Sequence, residues 1–381
     1  MDRLPSQDPD RPPLPYMPGL VVQITEHSPP PPFGGRYYAP SKYLYLPEDR
    51  LKDTLPTQQV LMCSPQDGKW PSDTTPRSGV LTITKLMSVG EARGAQIVVC
   101  NVLIRGETEP YTAVAKIYDP LYYPFYERST DLVWGADLDY SREADAYRHL
   151  QTTKALQKSG FAPEYYGSWT FDLTLTLQNE VHKRPVRLLL IEHIDGSSIL
   201  DLFAKNSAHL EAAPDAFHFD EAYRLDVLAE MLEGVLKQLH SGLDQRDFAP
   251  RNIMLVPSPR EAVPPLSVPR VVLVDYNIAR VFEHTTEGRH PHQERSLPTN
   301  PVQYFRYPPW EFQQWVPFRW YHKDPRSYEE WLLTRFGGKH ADRFAPIENV
   351  LEFSTNSSSD NDENGGHEAN IGGLVQAASY F

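Results

Sequence analysis

Hydrophobic and polar positions divide the chain into a strand-like first part and a helical second part. Between residues 80 and 118, β-favouring apolar runs at 81–84, 97–102 and 113–117 are separated by glycine-bounded turns at 90–94 and 106–110. That pattern predicts three antiparallel strands. The period then changes: residues 145–150 belong to a helix expected to begin near Ser141, a capping residue, with Glu143 in its first turn. Leu173, Leu175 and Leu177 alternate with polar residues and predict a fourth strand, and the apolar run 188–194 predicts a fifth. Beyond Gly196, the residues Leu225, Leu228, Leu232, Val235, Leu236 and Leu239 fall on one face of a helix. Short strand-like pieces at 253–256 and 271–274 flank a proline-rich insertion at 257–269. The expected fold class is α+β, with a small antiparallel β lobe carrying one helix over 79–195 and a mainly helical lobe over 196–353.

Composition limits what surrounds these elements. With 381 residues and 40% hydrophobic content, the chain can bury a sizeable core. Thirty-six prolines crowd the start and the loops, as at Pro29 to Pro32, and residues 354–373 are rich in Ser, Asn, Asp and Gly. Residues 1–78 therefore read as a proline-rich, partly disordered extension and 354–381 as a disordered polar tail. The proline run suits either an aromatic-lined reader of proline-rich motifs or a solvated linker. Two cysteines, Cys63 and Cys100, are too few for a disulfide framework and point to free thiols in a reducing compartment. No apolar leader follows Met1, and no apolar run reaches the roughly 18 residues a membrane span needs. An intracellular location, cytoplasmic or nuclear, is expected. The formal charge of −13 speaks against nucleic acid and anionic membranes as partners.

The residues that carry chemistry lie between 245 and 277. Arg246 and Asp247 are followed five residues on by Asn252, and the apolar run 271–274 ends in Asp275, Tyr276 and Asn277. This order and spacing resemble the catalytic loop and metal-binding triplet of the protein kinases, and over about 81–311 the chain is identified as a divergent member of the protein kinase-like superfamily. The resemblance implies a bilobal protein kinase-like fold with a shortened C-terminal lobe. It further implies ATP and Mg²⁺ between the lobes, and transfer of the γ-phosphoryl to a hydroxyl of a protein substrate, in the manner of a Ser/Thr kinase. By that likeness Asp247 accepts or orients the hydroxyl proton, and Asn252 and Asp275 hold Mg²⁺. Lys116 grips the nucleotide phosphates, and Glu143 pairs with Lys116. Gly90, Ala92, Ala95 and Ile97 stand where a phosphate-binding loop would, with alanine at two glycine positions. Ala115 lines the nucleotide pocket beside Lys116. Ile191 closes the back of the adenine pocket, and backbone groups of Glu192 and Ile194 bond the base.

Each residue has an ordinary alternative. Lys116 also reads as an edge-strand lysine, Glu143 as a helix-start glutamate, 90–97 as a plain hairpin turn, and a lone Asp or Asn as an Asx turn. Two positions depart from the family pattern. Gln245 replaces the usual loop histidine, a hydrogen-bonding support. Asn277 replaces the usual glycine, as the residue that best tolerates a left-handed backbone. Arg246 implies an activation segment whose phosphate it pairs with, the hydroxyls being Thr285, Thr286, Ser296 and Thr299. Glu311 stands as that segment's anchor, and Trp315, Trp320, Trp331 and Phe336 predict a compact aromatic cluster with a helix near 328–336. A scaffold of kinase likeness that binds nucleotide or partners without transfer, and a small-molecule kinase, are the other readings. Arg246 speaks against the latter, which carries His-Gly-Asp in this loop.

Overall fold

The computed structural model describes residues 8–347, except 42–45, 52–53, 72, 92, 125–130, 154–155, 157–158, 206–212, 261–265 and 323. Six strands, β1 (Val21–Glu26), β2 (Ser78–Ser88), β3 (Gln96–Ile104), β4 (Tyr111–Tyr118), β5 (Tyr165–Leu177) and β6 (Glu180–Glu192), close into an antiparallel barrel. Their order is β1-β2-β3-β4-β6-β5.

This corrects the expected five-stranded small lobe. The sixth strand comes from the stretch read as an extension, and it pairs with β2 and β5 at once, which leaves the sheet without an edge. Its sequence signal is weak because only Ile24 of β1 is buried. Backbone pairing from Val21↔Thr82 to Thr25↔Ser78 seats it instead. The β5–β6 hairpin turns on Gln178 and Asn179 at φ 51° and 68°, the geometry that matches the twist of paired strands.

On β4 the pleat sorts side chains. Ala113, Ala115 and Ile117 point into the barrel with Val98, Cys100 and Leu190, while Val114 and Tyr118 face outward against the second core. Lys116, between them, shares that outer face.

Two short helices, α1 (Glu48–Leu51) and α2 (Pro56–Met62), precede β2. Helix α3 (Leu132–Thr152) begins well before Ser141, capped by the Asp131 carboxylate, which accepts from the Trp134 N–H at 2.9 Å. Leu132, Ala136, Tyr140, Ala144 and Tyr147 form its buried stripe. Glu143 therefore sits in mid-helix, out of reach of the N-terminal macrodipole.

The expected bilobal kinase fold with a mainly helical second lobe is also corrected. Beyond Gly196, β7 (Ser197–Ser198), β9 (Ile253–Val256) and β10 (Arg270–Leu273) form a three-stranded sheet, and β8 (Leu243–Asp244) pairs with β11 (Arg280–Val281). Among the described residues, one long helix, α4 (Glu221–Ser241), is accompanied by the short α5 (Pro301–Tyr304) and α6 (Arg319–His322), by α7 (Pro325–Phe336) and by isolated 3₁₀ turns. The cause lies in the sequence: Pro291, Pro298, Pro301, Pro308, Pro309, Pro317 and Pro325 interrupt 291–325 too often for longer helices. Likeness in a motif bears on the site, not on the architecture around it.

Helix α4 runs from the Asp220 cap to Gly242 at φ 97°, with Leu228, Leu232, Leu236 and Leu239 buried and Leu225 and Val235 packed at the margin. A Cβ at Gly234 would lie 2.5 Å from the Phe161 ring, so the glycine lets that ring rest on the helix. The Phe161 carbonyl in turn accepts from Leu273 N at 2.8 Å and aligns the end of β10.

Of the expected aromatic cluster, Trp320, Trp331 and Phe336 gather with Tyr328, whereas the Trp315 ring packs on Phe219 and Tyr223. Trp320 meets Tyr328 and Trp331 at ring centroids 4.8 and 5.3 Å apart, and Phe336 is buried on α7. Both cysteines are free thiols. Among the described residues, no helix is long and apolar enough to cross a membrane. The tail 354–381 and Ala92 lie outside the described residues.

Candidate functional site

Lys116 leaves the outer face of β4 and meets Glu143 at the middle of α3. Its Nζ lies 2.6 Å from each Glu143 carboxylate oxygen and 2.8 Å from Asp275 Oδ1. Three groups far apart in sequence are thus joined through one ammonium. Glu143 is fully buried and Lys116 nearly so, whereas the Asp275 side chain is 39% exposed and opens to solvent. Two neighbours hold Glu143: the Tyr118 hydroxyl, two residues along the same face of β4, donates to Oε2, and the Tyr276 N–H donates to Oε1 at 3.2 Å.

Burial alone would lower the Lys116 pKa, but the Asp275 and Glu143 carboxylates outweigh it and raise it. Burial pushes Glu143 up against the pull of Lys116. Asp275 goes down, because Lys116 overcomes the opposing effect of burial.

Gln245 joins the two loops. Its Nε2 donates to the carbonyls of Val274 at 3.1 Å and Asp275 at 2.6 Å, while its Oε1 accepts from Asp247 N at 2.8 Å. One buried amide therefore fixes the Asp247 backbone relative to that of Asp275, the support expected of this position. Asn252 donates from Nδ2 to the Asp247 carbonyl at 2.9 Å and to Oδ2 at 2.7 Å, and Arg251 donates to Oδ1. With the amide nitrogen so committed, the side-chain oxygen of Asn252 is the end left to ligate a cation. The expectation at Asn277 needs correcting: the left-handed residues here are Asp275 at φ 64° and Arg246 at φ 72°. Strained backbone at these two positions marks the loops as built for the placement of side chains.

Among the described residues, no group of three or more His, Cys, Asp or Glu side chains is set to hold a metal ion. Asp275 and Asn252 can supply two oxygen ligands. That fits Mg²⁺ held jointly with nucleotide phosphates, and does not make a self-sufficient metal cage.

The residues expected to line a nucleotide pocket divide. Ile97 pairs directly across from Lys116 and, with Ala95 and Ile191, packs on the same outer core. Ile194 is half-buried at the end of the strand-to-turn segment. The Glu192 carboxylate is gripped by Arg270 at 2.5 and 2.8 Å, and its N–H is committed to Glu164 O at 2.8 Å. Ala115 does not reach this face, since it points into the barrel, and Val114 takes its place beside Lys116. The two-residue period of the strand carries that information. Gly90 is latched by Gln96, whose amide accepts from Gly90 N at 2.8 Å and donates to Gly90 O at 2.9 Å. That N–H is therefore spent within the turn and not offered to a phosphate.

Sequence reasoning missed Asp139, one turn before Glu143 on α3. A Cβ on Gly94 would lie 3.8 Å from its Oδ2, so this carboxylate faces the 90–97 turn. Burial, helped by the Glu143 carboxylate, pushes it from 3.8 up to about 7. Between those values the folded chain binds a proton that the unfolded chain releases, so stability falls as pH rises through that window. Asp139→Asn is expected to be more stable than the parent at pH 8 by about 1–2 kcal/mol after allowance for partial exposure. The gap narrows by pH 5, as read by urea denaturation. An equal gap at both pH values would show that Asp139 is not the titrating group.

Of the hydroxyls expected in an activation segment, Thr285 and Thr299 are buried, and Thr286 and Ser296 are exposed. Glu311 is exposed. Trp315 ties this region to α4: its Nε1 donates to Arg224 O at 2.9 Å while Arg224 donates back to Trp315 O. A groove of about 950 Å³ lined by Trp70, Tyr111 and Tyr166 lies on the barrel exterior and contains none of the charged groups above. No protein-family model matches the chain, and no curated protein matches it.

Proposed function

We propose that the chain is an ATP- and Mg²⁺-dependent phosphotransferase that delivers the γ-phosphoryl to a hydroxyl, with a protein Ser or Thr side chain as the acceptor class. One observation carries the reading: Lys116, Glu143 and Asp275 converge within hydrogen-bond distance, while Gln245 ties Asp275 to Asp247. Phosphoryl transfer asks little covalent chemistry of a protein and much positioning and charge neutralisation. Lys116 supplies a cation for the phosphates, already oriented by Glu143. Mg²⁺, when bound with nucleotide, would neutralise phosphate charge and be held by Asp275 and Asn252. Asp247, fixed at its backbone by Gln245, faces the acceptor hydroxyl as proton acceptor or orienting group.

A second reading has its own observation. Both Asp247 oxygens are engaged, by Arg251 and Asn252. A nucleotide-binding scaffold without transfer would not need that carboxylate free. Thermal melting with ATP or ADP and Mg²⁺, followed by γ-phosphate transfer to a protein mixture, separates the two. Nucleotide at 100 times its Kd stabilises by about 2.7 kcal/mol. An unchanged melting temperature up to millimolar nucleotide defeats both readings, and a shift without transfer selects the scaffold.

A further inference from the structure

Three arginines from three elements gather beside the site: Arg142 on α3, adjacent to Glu143; Arg246, adjacent to Asp247; and Arg280 on β11. Such a cluster is what a phosphorylated segment would pair with. Here it is met by the chain's own residues 33–39. The Tyr37 ring lies under both Arg280 and Arg246, with guanidinium carbons 4.0 and 4.9 Å from its centroid. Arg142 donates to Gly34 O at 2.8 Å and Phe33 O at 3.1 Å, and lies over the Tyr38 ring at 5.5 Å.

The fit is close. A Cβ on Gly35, at φ 65°, would stand 2.6 Å from Arg142 Nη2. Tyr38 is buried; its hydroxyl accepts from Val281 N at 3.0 Å and donates to Ala279 O at 3.3 Å. Tyr37 O accepts from Thr286 N at 2.8 Å and from Thr286 Oγ1 at 3.2 Å. Residues 33–39 thus link the helix that carries Glu143 to the segment that follows Asp275.

We propose that residues 33–39 are a built-in brace that takes the place of a phosphate, holding 279–286 against α3 so that the site is assembled without modification of that segment. The Tyr37 face covers Arg246 and also Arg280, whose guanidinium is paired with Asp244 Oδ2 at 2.8 Å, and the Tyr38 hydroxyl satisfies backbone groups of Ala279 and Val281 that would otherwise need ordering by another partner. The consequence for turnover rests on the phosphotransfer reading; the brace itself does not, because it has its own readout in hydrogen exchange.

Two measurements test it. Tyr38→Phe removes one hydroxyl and keeps the ring, so the fold should persist, and exchange of the Val281 amide should quicken by roughly fivefold or more. In parallel, phosphatase-treated parent protein should transfer phosphate as fast as untreated protein, while Tyr37→Ala with Tyr38→Phe should transfer at least roughly tenfold slower, the loss of more than one charge-assisted or buried hydrogen-bonded contact. Unchanged Val281 exchange in Tyr38→Phe overturns the brace, as does loss of transfer on phosphatase treatment. A parent protein that never transfers phosphate counts against the phosphotransfer reading alone, and exchange still decides the brace.

Discussion

Asp275→Asn is expected to remove Mg²⁺-dependent stabilisation by nucleotide and to lower transfer by about 10³-fold or more, the scale lost when a positioned charge at a phosphoryl centre disappears. The fold should survive. Asp275 is 39% exposed, and Lys116 retains Glu143 as a buried counter-charge, so one cation and one carboxylate still balance. Asparagine is also the replacement that tolerates the φ of 64° found here, where alanine would add strain. Melting without nucleotide should stay within about 1 kcal/mol of the parent, as befits a partly exposed pair. Retention of the nucleotide shift in Mg²⁺, undiminished in Asp275→Asn, would remove this carboxylate from the cation site.

How much of this is legible in the sequence follows from what each signal depends on. Strand alternation and the leucine stripe of α4 depend on local burial, and the core strands and that helix stand where those patterns put them. Strand β1 is seated by backbone pairing with two neighbours distant in sequence, a long-range fact that no local pattern holds. Helix α3 starts earlier than its sequence suggests because Ser141 has the chemistry of a cap, whereas Asp131 caps in fact. At the site, the spacing of Asp247 and Asn252 marks groups that do bond, and Asp275 is tied to Asp247 through Gln245. The groups that hold them, the Tyr118 hydroxyl, the Tyr276 amide and the Tyr37–Tyr38 pair, leave no mark, since a tyrosine reads the same whether it packs or bonds. The architecture is the least legible part. A motif constrains a few side chains, while the proline density of 291–325 decides how much helix can surround them.

Lys116→Met should show which charges the site cannot bear unpaired. The substitution leaves the buried Glu143 carboxylate and that of Asp275 facing each other without a cation, and breaking a buried pair in this way costs about 3–5 kcal/mol. Glu143 can escape part of that cost by taking up a proton. Burial already raises its pKa, and Lys116 is the group that pulls it down, so loss of the ammonium moves Glu143 further up; Asp275, which Lys116 holds low, rises with it. Carboxyls whose folded pKa is raised lose stability as pH rises through the window between the unfolded and folded values. The deficit of Lys116→Met relative to the parent should therefore be largest near pH 8 and should shrink steadily toward pH 4.5, measured by urea denaturation in EDTA. On the phosphotransfer reading, transfer should be lost at every pH, because Lys116 is the residue that places a cation on that face of β4. A deficit independent of pH would mean that the substituted side chain disturbs packing rather than charge, and that the two carboxylates are balanced by a group other than Lys116.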